Sequence, residues 1–347
     1  MAGKAKQNIL VIGPSWVGDM VMSQSLYMCI KQNNPDNRIT VMAPSWTRPL
    51  LDRMPEVDAK LKFDLKHGEV NLGARRSLGK SLRDSNFTQA IVLPLSFKSA
   101  LVPFHANIKT RTGWRGEWRN ILLNDCRPTQ DENFPLMVQR FAALANPSYS
   151  LPPENIPKPK LSTQQSDVNS SLSKFELTKE LKILAISPGA EFGEAKQWPS
   201  EYYAELMNAV LQQGWQVWIF GSVNDVLIAE SILADIDSNL LDRCKNLAGR
   251  TSLAEAIDLM SLASVVVSND SGLMHVAAAL EKPVVGIYGP TSPDFTPPLA
   301  DKLKLLATDI ECRPCFKRKC PFGHLRCLTE LKPALAIDAV RLLTESK

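Results

Sequence analysis

The stretch that decides the fold spans residues 265–293 and reads VVVSNDSGLMHVAAALEKPVVGIYGPTSP. It starts with the apolar run 265–267, passes a polar turn at 268–272 and a helical pattern at 273–280, and returns to an apolar run at 284–288. This order of strand, turn, helix and strand is typical of a parallel α/β unit. The turn then lies at a helix N-terminus, where main-chain N–H groups and the helix dipole favour an anion. The pattern therefore predicts a phosphate-binding turn, with a nucleotide diphosphate as the expected ligand.

Two interpretations of this turn stay open on these residues alone. Asp270, Ser271, Gly272 and Leu273 sit where diphosphate oxygens would be held, with His275 one turn further along the helix. Short Asp-Ser-Gly turns also cap helices without binding anything, and a helical histidine is often a packed residue.

The length and composition indicate a soluble globular protein with more than one domain. The chain has 347 residues, of which 44% are hydrophobic and 22% charged. It contains no apolar run of about 18 residues, the length that spans a bilayer. The apolar run near the N-terminus is too short for a signal peptide. We therefore expect a cytoplasmic protein without a transmembrane segment.

The remaining apolar runs predict two parallel α/β halves in tandem. Strands that run into a glycine turn are expected at 8–13 and 181–189, with further strands near 39–42, 90–93 and 216–220. Residues 151–180 are rich in Pro, Ser, Asn and Lys, which is typical of a linker. The predicted organisation is an N-terminal domain at 1–150, this linker, a C-terminal domain at 181–330 and a final helix within 331–347 that packs on the first half.

The first half carries an excess of positive charge. Residues 1–150 hold 20 Lys and Arg against 12 Asp and Glu, and the remainder holds 20 against 24. Such an excess indicates an anionic partner, although a solvated surface bias would produce the same count. No nucleic-acid-binding signature is present, so an acidic small or lipid-borne substrate is preferred over nucleic acid. The candidate acceptor-binding residues are Arg75, Arg76, Lys98, Arg111, Trp114 and Arg115.

The loop after the first strand, Gly13-Pro-Ser-Trp-Val-Gly-Asp-Met20, imitates a phosphate-binding loop with one change. Asp19 stands where the phosphate-binding lysine belongs, and a carboxylate there repels phosphate. An Asp at a loop–helix junction is a candidate general base, although it would also serve as a first-turn partner of the helix dipole.

The corresponding loop of the second half, residues 187–199, suits a diphosphate. Ser187, Gly189 and Lys196 form the candidate set, and Lys196 would neutralise charge on a leaving phosphate. The alternative for Lys196 is an ordinary solvated lysine. Asp225 follows the next predicted strand at a position suited to ribose hydroxyls, and Thr251 completes the donor-binding candidates in this half.

Four of the seven cysteines form a cluster, Cys312-x2-Cys315-x4-Cys320-x6-Cys327. In a cytoplasmic protein such a cluster favours metal or reduced thiols over disulfides. The spacing does not match a standard zinc ribbon. A structural zinc and free thiols both remain open, and we expect a structural role for the segment.

Several segments together resemble the bacterial lipopolysaccharide heptosyltransferases of glycosyltransferase family 9. The resemblance rests on ILVIGPSWVGDMVMSQSLY, VMAPSW, SFKSALVPF, RTGWRGE, PGAEFGEAKQWP, NDSGLMHVAAAL and YGPTSPDFTPPL, which extend over both halves up to about residue 300. The segment 312–327 departs from the family members used as a template, so no role is carried onto it.

The resemblance implies a GT-B fold, in which two Rossmann-like domains with parallel sheets face a central cleft. It implies inverting transfer of L-glycero-D-manno-heptose from ADP-heptose to the first heptose of the heptosyl-Kdo2-lipid A inner core. It aligns Asp19 with the catalytic acid–base position, Lys196 with a phosphate-binding lysine, residues 270–275 with the diphosphate turn and Ser15 with a serine near the reacting centre. Because protein groups meet the developing charge, no cofactor is expected to be required.

The lipid anchor of such an acceptor predicts peripheral attachment at the inner face of the inner membrane. Two other classes of protein stay open. One is a different GT-B sugar-nucleotide enzyme, with another donor or acceptor or with epimerase activity. The other is a non-catalytic nucleotide- or lipid-core-binding module.

Overall fold

The computed structural model describes residues 6–63, 70–128, 133–148 and 154–345. They fall into two compact units, Met1–Pro159 and Lys160–Lys347.

The first unit is built on a six-stranded parallel sheet with the order β3-β2-β1-β4-β5-β6. Its central strand is the predicted apolar run NILVI, in which only the first residue is not fully buried. The strands are β1 Asn8–Ile12, β2 Arg38–Ala43, β3 Ala59–Lys62, β4 Gln89–Val92, β5 Thr110–Trp114 and β6 Asp125–Arg127.

Helices cover this sheet, and the longest begins directly after the loop that follows β1. Helix α1 buries residues around most of its circumference and packs against α5. The helices are α1 Val17–Asn33, α2 Arg48–Leu51, α3 Leu72–Ser81, α4 Leu101–His105 and α5 Met137–Ala143.

The second unit repeats the design with the order β12-β11-β10-β7-β8-β9, again all parallel. Its inner strands are buried over their whole length because helices cover both faces. The strands are β7 Ile183–Ser187, β8 Gln216–Ile219, β9 Cys244–Asn246, β10 Val265–Asn269, β11 Val284–Tyr288 and β12 Leu303–Ala307.

The helices of the second unit include one inside the segment assigned to a linker. Helix α6 packs against α9, and the main-chain N–H of Leu161 donates to the carbonyl of Ala279 at 2.8 Å. The chain therefore joins the second unit at residue 160, earlier than the composition indicated. The helices are α6 Gln165–Lys174, α7 Ser200–Gln212, α8 Val226–Ala234, α9 Leu253–Met260, α10 Gly272–Ala279, α11 Arg326–Thr329 and α12 Pro333–Glu345.

The final helix α12 forms where it was predicted, but its apolar face packs elsewhere. Ala336, Ala339, Val340 and Leu343 belong to the core of the second unit, and α12 contacts α7 and strands β10, β11 and β12. The core of its own unit therefore buries this face, and packing of the final helix on the first half stays a prediction.

Both sheets have the doubly wound strand order, which fixes where ligands bind. The order reverses between β1 and β4 in the first unit and between β7 and β10 in the second. Ligands of such sheets bind outside the carboxyl ends of the strands at this reversal. Ser187 and Ser268 pair in register at the ends of β7 and β10, so the loops that follow leave the second sheet side by side. Among the helices described, none is both long and apolar enough to cross a bilayer.

Candidate active site

The centre of the second unit's site is an ion pair between Lys196 and Asp270. Lys196 ends a short 3-10 helix, Glu194–Lys196, and Asp270 follows β10. Lys196 Nζ lies 2.6 Å from Asp270 Oδ2, and the two side chains are only 12% and 8% exposed. The aromatic ring of Phe192 covers the ammonium group at 4.8 Å. The predicted phosphate-binding lysine is therefore held in one place before any ligand arrives.

Thr291 supplies the second partner of Asp270. Its Oγ1 donates to Asp270 Oδ2 at 2.6 Å from the loop after β11. Lys196, Asp270 and Thr291 thus bring together three loops at one edge of the sheet. Thr291 was not among the predicted site residues, because a threonine in a Gly-Pro-Thr-Ser-Pro turn carries no signal of such a contact.

The N-terminus of α10 leaves main-chain donors available. Ser271 is the N-cap in an extended conformation, yet its side chain makes no capping hydrogen bond. Its Oγ pairs with Ser268 Oγ at 3.1 Å instead. The first turn of a helix has N–H groups without intrahelical partners, and these bind anions when no side chain caps them. Gly272 and Leu273 carry the first of these groups.

Asn269 joins the strands on either side of the sheet reversal and was missed by the sequence analysis. Its Nδ2 donates to the carbonyl of Pro188 at 2.6 Å. Its Oδ1 accepts from the Tyr203 hydroxyl at 3.0 Å and from the main-chain N–H of Trp198 at 3.3 Å. The side chain is fully buried. Asn269 therefore fixes the loop after β7 relative to the turn after β10.

His275 is a buried neighbour of the ion pair and is neutral at pH 7. Burial lowers its pKa, Asp270 raises it and Lys196 lowers it, with a result of about 4. Because it is only 6% exposed, His275 offers a neutral imidazole behind the turn and no positive charge to a phosphate.

Ser187 and Gly189 lie at the end of β7, beside this turn. Ser187 Oγ is buried and has no hydrogen-bond partner among the described atoms. Position 189 must be a glycine because the Asp225 side chain packs directly against it. A Cβ at this position would lie 2.2 Å from the carboxyl carbon of Asp225. Both residues therefore lie at the carboxyl edge of the second sheet, and their contact with the donor stays a prediction.

Asp225 serves first as a local cap. Its Oδ2 accepts from the main-chain N–H and the hydroxyl of Ser222 at 2.7 and 2.8 Å. Its carboxyl group also lies directly over Gly189, so one oxygen faces the predicted donor loop. Thr251 lies further along the sheet after β9, and its Oγ1 donates to the carbonyl of Leu247 at 3.4 Å.

In the first unit, Asp19 lies in the first turn of α1, two residues after its start. It is partly exposed at the carboxyl end of β1, next to the point where the strand order reverses. Ser15 is exposed on the same loop, and its carbonyl accepts from the indole N–H of Trp46 at 3.1 Å. Trp46 follows β2, so this bond joins two neighbouring loops of the sheet edge. Ser15 and Asp19 therefore lie at the same edge of the first sheet, and the role of Ser15 in donor binding stays a prediction.

Comparison with known proteins identifies the family. Residues 75–326 match the family described as glycosyltransferase family 9 (heptosyltransferase). The chain is similar to lipopolysaccharide heptosyltransferase 2 of Salmonella typhimurium, with 47% identity over 96% of this chain and 98% of that protein. It is also similar to lipooligosaccharide heptosyltransferase 2 of Haemophilus influenzae, with 46% identity over 97% and 99% of the two chains.

The chain belongs to glycosyltransferase family 9. A solved structure of ADP-heptose lipopolysaccharide heptosyltransferase II from Escherichia coli superposes with a TM-score of 0.89 at 43% identity, covering 97% of this chain and 98% of that one. The fold is therefore that of the GT-B glycosyltransferases, with one Rossmann-like sheet in each unit, and the protein is a glycosyltransferase.

For this glycosyltransferase, three of the predicted acceptor residues turn out to build the scaffold. The Trp114 indole is 7% exposed, donates to the carbonyl of Arg140 and packs against Phe134. Arg111 donates to the carbonyls of Ile108 and Leu122, both at 2.6 Å. Both side chains thus donate hydrogen bonds to nearby main-chain carbonyls, and their role in acceptor binding stays a prediction.

Arg75 is the third of these scaffold residues. It is buried, and its guanidinium donates to the carbonyls of Val70 and Lys98 and lies over the ring of Phe63. Burial of this kind leaves little of the guanidinium for a ligand. Arg115 and Arg76 remain exposed and Lys98 is partly exposed. These three members of the basic set are therefore accessible to solvent.

The four cysteines of the family 9 chain come together as a group. All four line one cavity together with His324, Ala195 and Pro290. All four are free thiols. Within the ranges that the structure describes, no three Cys, His, Asp or Glu side chains are already arranged to hold a metal ion. The predicted structural zinc therefore stays a prediction.

Proposed function

We propose that this enzyme transfers L-glycero-D-manno-heptose from ADP-heptose to the first heptose of the lipopolysaccharide inner core, with inversion at the anomeric carbon. The near-full-length similarity to two enzymes named heptosyltransferase 2 supports this substrate pair. The observation that carries the proposal is the Lys196–Asp270 pair beside the uncapped start of α10, a site suited to a sugar-linked diphosphate.

The second unit supplies the groups that stabilise the leaving ADP. As the bond to the anomeric carbon breaks, negative charge grows on the terminal phosphate, and donors already in place stabilise it without reorganisation. Lys196 Nζ provides the positive charge, and the N–H groups at the start of α10 provide directed dipoles. Oδ2 of Asp270 accepts from both Lys196 and Thr291. Its role is to keep the ammonium group in position.

The first unit supplies the base. The acceptor hydroxyl must lose a proton as it attacks, and Asp19 is a carboxylate on a loop whose shape otherwise suits phosphate. The carboxylate lies in the first turn of α1, at the carboxyl end of β1. Since Lys196 and the N–H groups at the start of α10 meet the charge on the diphosphate, no divalent cation needs to contact the phosphates, and we expect transfer not to depend on added Mg²⁺.

The acceptor surface and the membrane location are part of the same proposal. Arg115, Arg76 and Lys98 would contact the phosphate and carboxylate groups of an acidic inner core. The loop after β5 also exposes two apolar side chains, Trp118 at 84% and Ile121 at 69%. Exposed aromatic and basic side chains together favour the interface of an anionic bilayer. This surface supports peripheral attachment at the inner face of the inner membrane, where the lipid anchor of the acceptor lies.

Mass spectrometry of the reaction product tests the proposal. The purified enzyme is given ADP-heptose and a core that ends in the first heptose, and we expect a product heavier by one heptose residue with α-linked stereochemistry from a β-linked donor. A core that lacks the first heptose should remain unchanged, and UDP-hexoses should not replace the donor. Turnover of a UDP-sugar alone, epimerisation of the donor, or ADP binding without any transfer would contradict the proposed function.

A further inference from the structure

The segment 312–327 contains a group of thiols that the transfer reaction does not use. We call these four residues the thiol cluster: Cys312, Cys315, Cys320 and Cys327. The first three lie on loops and are partly exposed, whereas Cys327 is buried on the short helix α11. A set of four thiols around one cavity is unusual for plain packing, because single cysteines suffice to fill apolar space.

The local chemistry of the cluster suits a soft metal ion. Four thiolates form the tetrahedral sulfur set that zinc and iron prefer, and a Cys-x2-Cys pair supplies two of them from one turn. The four cysteines line one cavity together with His324, whose imidazole is a further ligand type that zinc accepts.

The same segment is attached to both loops that hold the donor ion pair. Arg313 donates to the carbonyl of Gly289 at 2.7 Å and to that of Thr291 at 3.0 Å. On the other side, the main-chain N–H of Ala195 donates to the carbonyl of Arg318 at 3.2 Å. Thr291 and Ala195 are respectively the partner of Asp270 and the neighbour of Lys196. The segment therefore supports the Lys196–Asp270 pair from behind through two separate loops.

The close fit at Gly193 shows how tightly the segment is seated. A Cβ on Gly193 would lie 2.5 Å from the carbonyl oxygen of Arg318, so a side chain is excluded at this contact. The guanidinium of Arg318 also lies 5.3 Å from the ring of Phe192, the ring that covers Lys196. Because no free space separates the two, a displacement of the segment 312–327 also displaces the loop that carries Lys196.

We propose that the thiol cluster binds one thiophilic metal ion of the Zn²⁺ class and that this ion fixes the loops of Lys196 and Thr291 in their donor-binding positions. Because the side chains are not already arranged around one ion position, binding must draw the sulfurs together by rotation about their side-chain bonds. Each thiol that coordinates the ion loses its proton to solvent, and no oxidant or reductant is needed. The arginines of the segment are then positioning residues for the donor site.

The metal is tested directly on full-length protein purified without a metal-binding tag. We expect about one equivalent of zinc or iron per chain in elemental analysis, and a Co²⁺-substituted protein should show the intense near-ultraviolet sulfur-to-cobalt absorption of thiolate ligation. Cys315→Ser should lower the metal content and that absorption. The matched control is Cys244→Ser, which removes a thiol of the same unit outside the cavity and should leave both unchanged. Protein that contains no metal and takes up no Co²⁺ overturns the proposal, as does equal loss in both variants.

The coupling to the donor loops rests on the proposed function, so its readout is ADP binding and not transfer. Removal of the ion with a chelator should weaken ADP binding about tenfold or more, the range seen when outer support of a site is lost. Adding Zn²⁺ back should restore it, and Cys315→Ser should not respond to the added ion. Unchanged ADP affinity in metal-free protein overturns the coupling. Normal metal and ADP binding without heptose transfer would instead count against the proposed function alone.

Discussion

Lys196→Ala separates the two roles that the ion pair combines, one in catalysis and one in stability. The substitution leaves the Asp270 carboxylate buried without its cation, although the hydrogen bond from Thr291 remains. Breaking a buried pair by removing one member costs about 3–5 kcal/mol, and the bond from Thr291 places the expected loss near the lower end of that range. Loss of a preorganised electrostatic contact to the leaving group should also lower turnover about a hundredfold or more. That factor corresponds to ~2.7 kcal/mol of transition-state stabilisation.

The double variant Lys196→Ala/Asp270→Asn distinguishes these effects. The second substitution replaces the carboxylate with a neutral amide, so no uncompensated charge is buried, and the amide oxygen can still accept the hydrogen bond from Thr291. We therefore expect urea unfolding to show that most of the lost stability returns. Turnover with saturating ADP-heptose should stay at the level of the single variant, because the positive charge is still missing.

A matched control is available in the same unit. Lys174 and Glu255 join α6 and α9 at the same 2.6 Å, but they are 57% and 20% exposed. Lys174→Ala should cost less than about 1 kcal/mol and leave turnover unchanged, since exposed pairs are screened by solvent. Recovery of turnover in the double variant would refute the assignment, because Lys196 would then act only as a partner for Asp270.

The remaining predictions concern the base, the donor and a buried titrating group. Asp19→Asn should lower turnover by about 10²–10⁴ while ADP affinity and melting temperature stay at parental values, and loss of activity through unfolding would indicate a helix-capping role instead. ADP at a hundred times its dissociation constant should raise the free energy of unfolding by about 2.7 kcal/mol, whereas UDP should have little effect in the same thermal-shift assay. Because the pKa of His275 is about 4 in the folded protein and near 6.5 when unfolded, stability should fall as the pH drops below 6.5 and level off below about 4. His275→Gln should flatten that part of the profile in denaturation measured at each pH, and an unchanged slope would contradict a buried neutral imidazole.

Strands that combine burial with apolar sequence were predictable, and the others were not. Short apolar runs such as ILVI of β1 and VVV of β10, each followed by a turn and a helical pattern, were therefore correctly predicted as buried strands. Strand β5 reads TRTGW and β12 reads LKLLA with a mostly exposed face, so neither has a clear alternation. Helix α6 lies in a serine-rich stretch of low apolar content, which composition alone assigns to a linker.

The individual residues of the candidate site could be predicted from the chemistry of their loops, but the contacts between them could not. Lys196 and Asp270 were both singled out, but their pairing across 74 residues depends on the sheet order and could not be read from the chain. For the arginines, sequence analysis fails in another way, because it predicts ligand binding for side chains that stabilise the fold. Arg119 is fully buried and donates to the carbonyls of Trp114 and Pro94, and burial lowers its pKa to about 10. A sequence does not distinguish an arginine that binds main-chain carbonyls from one that waits for a substrate.

The candidate base and the groups for the leaving diphosphate lie in separately built units of this enzyme. Asp19 and the exposed basic residues belong to residues 1–159, whereas Lys196, Asp270 and the start of α10 belong to residues 160–347. Mutations that alter the range of acceptors can therefore accumulate in one unit without touching the recognition of the nucleotide. Chimeras that join the first unit of one family member to the second unit of another should exchange acceptor preference while the nucleotide preference follows the second unit. Such recombination would allow a lineage to vary its surface glycan and keep a common activated sugar.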